Sequence, residues 1–203
     1  MLRSVQSILA SMLLCGIVTK MTKEELTVED ARADDAEAIA QIYAHYVLES
    51  TATFETEPPG TEVIRQRIAD LTHFGYPFLV SRDENGAVLG FGYAQRYGPR
   101  IGYKYSVETT IYVRPDSLGR GIGSSLIAAL IDECQARGFR QSFAVIASSE
   151  PASVILHARA GYFPVGTLTG AGWKHGQWID VFLMQRKLGE GNDTLPERVA
   201  AEA

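Results

Sequence analysis

Apolar positions along the chain fall into short blocks whose period switches between the helical and the strand repeat. Ala36, Ile39, Ile42, Tyr43, Tyr46 and Val47 recur at helical spacing, and Asp34 and Asp35 stand before them as candidate N-caps. That pattern predicts a helix to about residue 49. Pro58-Pro59-Gly60 breaks it, and Thr61 is placed to cap a second helix in which Ile64, Ile68 and Leu71 fall at i, i+4 and i+7. Strand-like runs cover 26–32, 78–81, 87–93, 103–113, 141–146 and 178–187, with Asn85-Gly86 reading as a hairpin turn. A helix is predicted over 122–137, closed by Gly138, and a shorter one over 152–160, stopped by Gly161. No internal repeat is present. The elements predict one α/β or α+β domain built on a mixed sheet.

The two ends differ from the body. Residues 1–20 carry Arg3 ahead of an apolar stretch, which fits either a short signal peptide or an extension upstream of a start at Met21. The stretch is short for a membrane span. The expected division is a leader over 1–20 outside the fold, a globular domain over 26–188 and a polar tail over 189–203.

Composition narrows the function. With 203 residues the chain can bury a core without staples, and 46% apolar content argues against disorder. A net charge of -5 leaves no excess of cations for a phosphate backbone, so nucleic acid is not an expected partner. Cys15 and Cys134 have no CxxC partner or Cys/His cluster, so neither a metal site nor a disulfide framework is expected.

The chemistry-bearing segment lies where the 103–113 strand meets the 122–137 helix. Leu118, Gly119, Arg120, Gly121, Ile122, Gly123 and Ser124 form a glycine-rich strand-to-helix turn. Such a turn presents free N–H groups and the positive end of a helix dipole to an anion, and glycine lets the backbone come close to a phosphate. The spacing fits neither a dinucleotide fingerprint nor a Walker loop.

Preceded by Ile111-Tyr112-Val113-Arg114-Pro115, this turn resembles the acetyl-coenzyme A loop of the GNAT N-acetyltransferases. The resemblance spans residues 28–188. It is nearest to the phosphinothricin and methionine sulfoximine N-acetyltransferase branch through 42–47 with 50–58, 106–113, 144–146 with 153–157, and Gly172-Trp173-Lys174-His175-Gly176-Gln177-Trp178. It implies a GNAT fold, with a mixed, mostly antiparallel central sheet flanked by helices. It implies acetyl-CoA as co-substrate, without a metal. The coenzyme contacts would come from Ile111, Tyr112, Val113, the 118–124 turn, Glu150 and Ser153. Two residues depart from the family pattern: Leu118 stands where Arg or Gln is usual, and Glu150 where Asn is common.

The implied reaction acetylates an amine, and each requirement has a candidate. Glu108 would take the ammonium proton. His157 falls where related enzymes place a proton donor to the leaving sulfur, and an imidazolium could serve there or the ring could help deprotonate the amine. Arg100, Lys174 and His175 are candidates to hold an acceptor carboxylate, and Phe54, Tyr97, Thr109 and Thr110 to line the acceptor pocket. The expected acceptor is a small amino-acid-like amine, with another amine (a protein N-terminus or a polyamine) or a non-catalytic acetyl-CoA sensor as alternatives. A cytoplasmic homodimer is expected, with export or membrane association as the alternative if residues 1–20 are a true signal.

Overall fold

The computed structural model describes residues 26–196, so the expected leader over 1–20 and the end of the tail lie outside the described residues. Seven strands form one sheet in the order β1-β2-β3-β4-β5-β7-β6. They are β1 (Thr27–Asp30), β2 (Phe78–Arg82), β3 (Val88–Arg96), β4 (Ser106–Val113), β5 (Gln141–Ala147), β6 (Phe163–Lys174) and β7 (Gln177–Lys187). Every neighbouring pair is antiparallel except β4 with β5. The helices are α1 (Ala36–Glu49), α2 (Thr61–His73), α3 (Ile122–Ala136) and α4 (Pro151–Arg159). The mixed, mostly antiparallel sheet expected from the sequence is the one observed.

The period of two along β2 and β3 decides which helix covers which face. Phe78, Val80, Phe91 and Tyr93 pack with Ile39, Tyr43, Ile64 and Ile68 of α1 and α2. The intervening Leu79 and Leu89 pack with Ile122, Leu126 and Leu130 of α3. Both faces of these strands are therefore covered, and their burial is nearly continuous. A third cluster joins Ile127, Ile131 and Cys134 of α3 to Val107, Ala144, Ile146, Tyr162 and Met184.

Four expectations are corrected. Residues 103–113 are not one strand: Ile101–Tyr103 form a 3-10 turn before β4. Thr61 is the first residue of α2 and Gly60 occupies the cap position. Asp35 occupies the cap position of α1 as expected, but its carboxylate makes no cap bond to that helix; it accepts from the Arg32 N–H at 2.8 Å and pairs with Arg82 at 2.8 Å. The 12-residue β6 is absent from the sequence-based pattern. Its glycines, its prolyl residue and its register shifts at 164/166 and 168/172 erase the alternation, and most of the strand is exposed.

α3 lies close to β3 because two strand positions lack side chains. A Cβ at Gly90 would stand 2.9 Å from the Tyr112 carbonyl oxygen and 3.0 Å from Ile122 Cγ2. At Gly92 it would stand 2.9 Å from Leu130 Cδ1. Gly90→Ala is expected to push α3 off the sheet and to cost about 1–3 kcal/mol, the usual range for overpacking a tight contact. Urea denaturation of the two proteins checks this; equal midpoints would contradict it.

Candidate active site

β4 and β5 pair only at their first three residues, Ser106, Val107 and Glu108 with Gln141, Ser142 and Phe143. Beyond that point they part. β4 stays paired to β3 and β5 to β7 along their full lengths, so the fork leaves only the two inner edges without a strand partner. Tyr162 sits at the fork. Its hydroxyl is 2.6 Å from Ser142 Oγ on β5 and 3.1 Å from Thr109 Oγ1 on β4. The opening is a cavity of about 810 Å³, with residues 109–113 on one side and 144–147 on the other. Backbone polar groups on such edges seek partners, which suits an extended ligand that carries amides.

At the outer end of the cavity lies the glycine turn. Gly119 and Gly121 have φ of 78° and 86°, and Gly121 occupies the cap position of α3 in left-handed geometry. A Cβ at either glycine would have no atom within 4 Å, so both open onto free space. The first amides of α3 have no intrahelical acceptor, and the arrangement is a cradle suited to an anion such as a phosphate. A β-branched residue at Gly121 would both occupy this space and adopt a strained backbone, so its effect on stability would accompany any effect on binding. Leu156 of α4 lies across the turn, 3.3 Å from where a Gly123 Cβ would be. The Tyr46 hydroxyl donates to the Val113 carbonyl at 2.6 Å and fixes the end of β4.

Glu108 stands at the inner end, where the strands begin to part. The β3–β4 register places Gln95 opposite Glu108 and Tyr93 opposite Thr110. Burial raises the Glu108 carboxyl above its ordinary range, and among the described residues no hydrogen bond engages it. A carboxylate raised in this way is a stronger base than one in water. Its neighbour Thr109 also borders the cavity, but its hydroxyl is engaged by the Phe143 carbonyl and Tyr162.

His157 borders the cavity and is 4% exposed. Burial lowers its pKa, and Nδ1 lies 2.8 Å from the Ser153 carbonyl, to which it donates. Nε2 then carries the lone pair, and it is buried without a hydrogen-bond partner. Of the two roles expected for this ring, proton donation by an imidazolium or help in deprotonating the amine, burial weighs against the first. Glu150 begins the turn into α4; burial raises its carboxyl, and its charge acts on the Tyr46 hydroxyl.

The sequence of residues 28–183 matches the family described as "Acetyltransferase (GNAT) domain". The chain belongs to the GNAT acetyltransferase family. It is 42% identical over 172 residues to a phosphinothricin N-acetyltransferase of Alcaligenes faecalis, covering 84% of this chain and 87% of the relative. It is 36% identical over 163 residues to an L-methionine sulfoximine/L-methionine sulfone acetyltransferase of Pseudomonas aeruginosa, covering 80% and 94%. Among solved structures, the GNAT superfamily phosphinothricin acetyltransferase of Sinorhizobium meliloti in complex with acetyl-CoA superposes with a TM-score of 0.83 at 42% identity, covering 86% of this chain and 95% of that one.

Within this GNAT domain the remaining candidates separate into two groups. Phe54 and Thr110 border the cavity with Glu108, and Ile111, Tyr112, Val113, Leu118, Ile122, Ser124 and Ser153 border its coenzyme-loop side. Tyr97, Arg100, Lys174 and His175 do not border it. The Tyr97 ring stacks on Phe143 at 4.1 Å and Arg100 is exposed before the 3-10 turn. Lys174 is buried, and Nζ donates to the carbonyls of Thr53 at 2.8 Å and Tyr46 at 3.3 Å. His175 Nε2 lies 3.3 Å from the Ser50 carbonyl. These two residues pin the 50–58 segment to the β6–β7 hairpin. In the same contact Phe54 lies over Gly172, where a Cβ would fall 2.0 Å from its ring. Arg120 points to Ser117 Oγ at 3.3 Å. Tyr43, Tyr46, Tyr93, Gln95 and Arg159 border the cavity and were not singled out by sequence. Gln95 alone carried a signal, a polar residue at the end of an apolar strand.

Because the fold raises the Glu108 pKa, the ionised carboxylate is the form the native state disfavours. The penalty is absent below the unfolded value, near 4.5, and complete above the raised one. Glu108→Gln should therefore gain thermal stability over the parent as pH rises through and above the ordinary carboxylate range. Melting curves at pH 4 and pH 7.5 check this; a difference that shrinks with pH contradicts it.

Proposed function

We propose that the protein transfers the acetyl group of acetyl-CoA directly to the α-amine of a small amino-acid-like acceptor of the phosphinothricin or methionine sulfoximine type. The observation that carries the reading is the half-buried Glu108 carboxylate, without a hydrogen-bond partner among the described residues, in a forked cavity that also holds the glycine cradle. The relatives' acceptors and the acetyl-CoA complex support the chemical class.

The roles follow from that geometry. The cradle of residues 119–124 takes the coenzyme diphosphate, and the parted edges of β4 and β5 take its amide-bearing arm. The thioester then lies beside Glu108, Gln95 and Thr110. Glu108 accepts one proton from the acceptor ammonium, and the freed lone pair attacks the thioester carbonyl carbon. The C–S bond breaks, the second amine proton passes to the sulfur, and an amide and a free thiol result. His157 borders the same cavity, but its Nε2 is buried away from solvent, so the ring shapes the wall of the site rather than contacting the acceptor. Cys134 stands apart from this chemistry: it is buried in the core outside the cavity, with its thiol pushed up to about 12, so direct transfer is preferred to an acyl-cysteine.

Thiol release measured over phosphinothricin, methionine sulfoximine, amino acids, a polyamine and an N-terminal peptide tests the assignment. Turnover is expected with the amino-acid-like amines, and coenzyme binding without turnover on any amine would favour a sensor. Glu108→Gln should slow the chemical step by roughly 10²-fold or more with little change in coenzyme affinity. Near-normal single-turnover rates in that variant would remove Glu108 from the role.

A C2 homodimer belongs to the same proposal, acting in the cytoplasm, where acetyl-CoA is available. Edge strand β6 and its partner β7 expose Phe163, Val165, Leu168, Trp173 and Trp178. Exposed apolar side chains grouped on an edge strand and its partner are the kind of surface that a subunit contact covers. Among the described residues no helix is long and apolar enough to cross a membrane. Light scattering should give twice the 22.2 kDa chain mass at micromolar concentration. Trp178→Arg should halve it and raise the acceptor KM through the adjoining 50–58 segment. A monomeric mass for fully active parent protein would contradict the dimer.

A further inference from the structure

α4 lies along the cavity, which Ser153 and His157 border as described above. Ala152, Ile155, Leu156 and Arg159 all border it and are spaced i, i+3, i+4 and i+7. Leu156, the middle of this face, lies across the glycine turn at Gly123. Arg159 lies one helical turn, about 5 Å, beyond Leu156. It is exposed, and among the described residues no hydrogen bond or ion pair engages its guanidinium. The cavity border holds no other arginine and no lysine, while it holds the carboxyls of Glu108 and Glu150. Leu118, at the mouth of the turn, is apolar and 61% exposed.

We infer that Arg159 binds the 3′-phosphate of the coenzyme's nucleotide and is the residue that distinguishes coenzyme A from its 3′-dephospho form. The inference rests on the acetyl-CoA reading above. If the diphosphate sits on the backbone amides of the turn and the amide-bearing arm runs inward toward Glu108, the nucleotide must lie outward, across the first turn of α3 and along α4. The phosphate on its ribose then meets the far end of the α4 face. The diphosphate needs no side-chain cation in this arrangement, because the turn supplies N–H donors and a helix dipole. The ribose phosphate has no such backbone partner and carries most of a double negative charge near neutral pH. A forked guanidinium is suited to that group. The opposing possibility is that Arg159 only complements the negative C-terminus of its own helix, which requires no ligand.

Calorimetric titration with coenzyme A and with 3′-dephospho-coenzyme A separates these. The parent protein is expected to prefer coenzyme A by roughly three- to tenfold at moderate salt, the range for a partly exposed charged contact. Arg159→Gln should abolish the preference by weakening only coenzyme A, and Arg159→Lys should restore part of it. Arg65→Gln, which removes an exposed arginine from α2, should leave the preference intact and so controls for net charge. Equal weakening of both ligands by Arg159→Gln would place the side chain on the diphosphate and overturn the inference. An unchanged preference would assign Arg159 to the helix terminus alone. If the parent protein binds neither ligand, the acetyl-CoA reading itself fails. If it binds both and Arg159→Gln changes nothing, that reading stands and only the inference falls.

Discussion

The parting of β4 from β5 is the constraint on which the site depends. A sheet normally satisfies its backbone by continuous pairing, and an open seam inside it has to be held from elsewhere. Here β3 holds β4 and β7 holds β5 along the whole length of each strand. The seam ends where the Tyr162 hydroxyl meets Thr109 and Ser142. Tyr162 follows the left-handed Gly161 that ends α4, and its N–H donates to the His157 carbonyl at 3.0 Å. The fork, the end of α4 and the setting of His157 are therefore one hydrogen-bonded unit. The close seat of α3 on Gly90 and Gly92 then fixes where the glycine cradle lies relative to the fork.

Burial, more than paired charge, sets the electrostatics of the cavity. Glu108 and Glu150 are raised and His157 is lowered, each with desolvation as the largest cause. All three shifts move a side chain toward its neutral form, as expected in a half-enclosed space with few counter-charges. Glu108 becomes a stronger base than a carboxylate in water, at some expense to the folded state. The sites of strong pairing lie elsewhere, as in Arg82 with Glu29 and Asp35 beneath the first strand.

Much of this arrangement was legible in the sequence because it rests on local signals. The helical stripe from Ala36 to Val47, the Asn85-Gly86 turn and the glycine cradle each declare themselves within a dozen residues. The strand β6 did not, because its pairing with β7 is set by the hairpin and its bulges rather than by an apolar period of its own. Lys174 reads as a free cation in the sequence, yet two backbone carbonyls from distant segments consume its ammonium. The protonation state of His157 depends on a carbonyl one turn back and on the packing around the ring, neither visible in the residue type. Arg159 reads as an ordinary helix-end charge until α4 is seen lying along the cavity.

The contact between Phe54 and Gly172 has a consequence for how the shape of the cavity can change. The Phe54 ring, which borders the cavity, rests where a side chain is missing on a hairpin that does not border it. Any residue larger than glycine at position 172 would displace that ring and reshape the pocket without touching the acceptor. The shape of the cavity can therefore be altered through this hairpin, and a library confined to cavity-lining residues would pass over position 172.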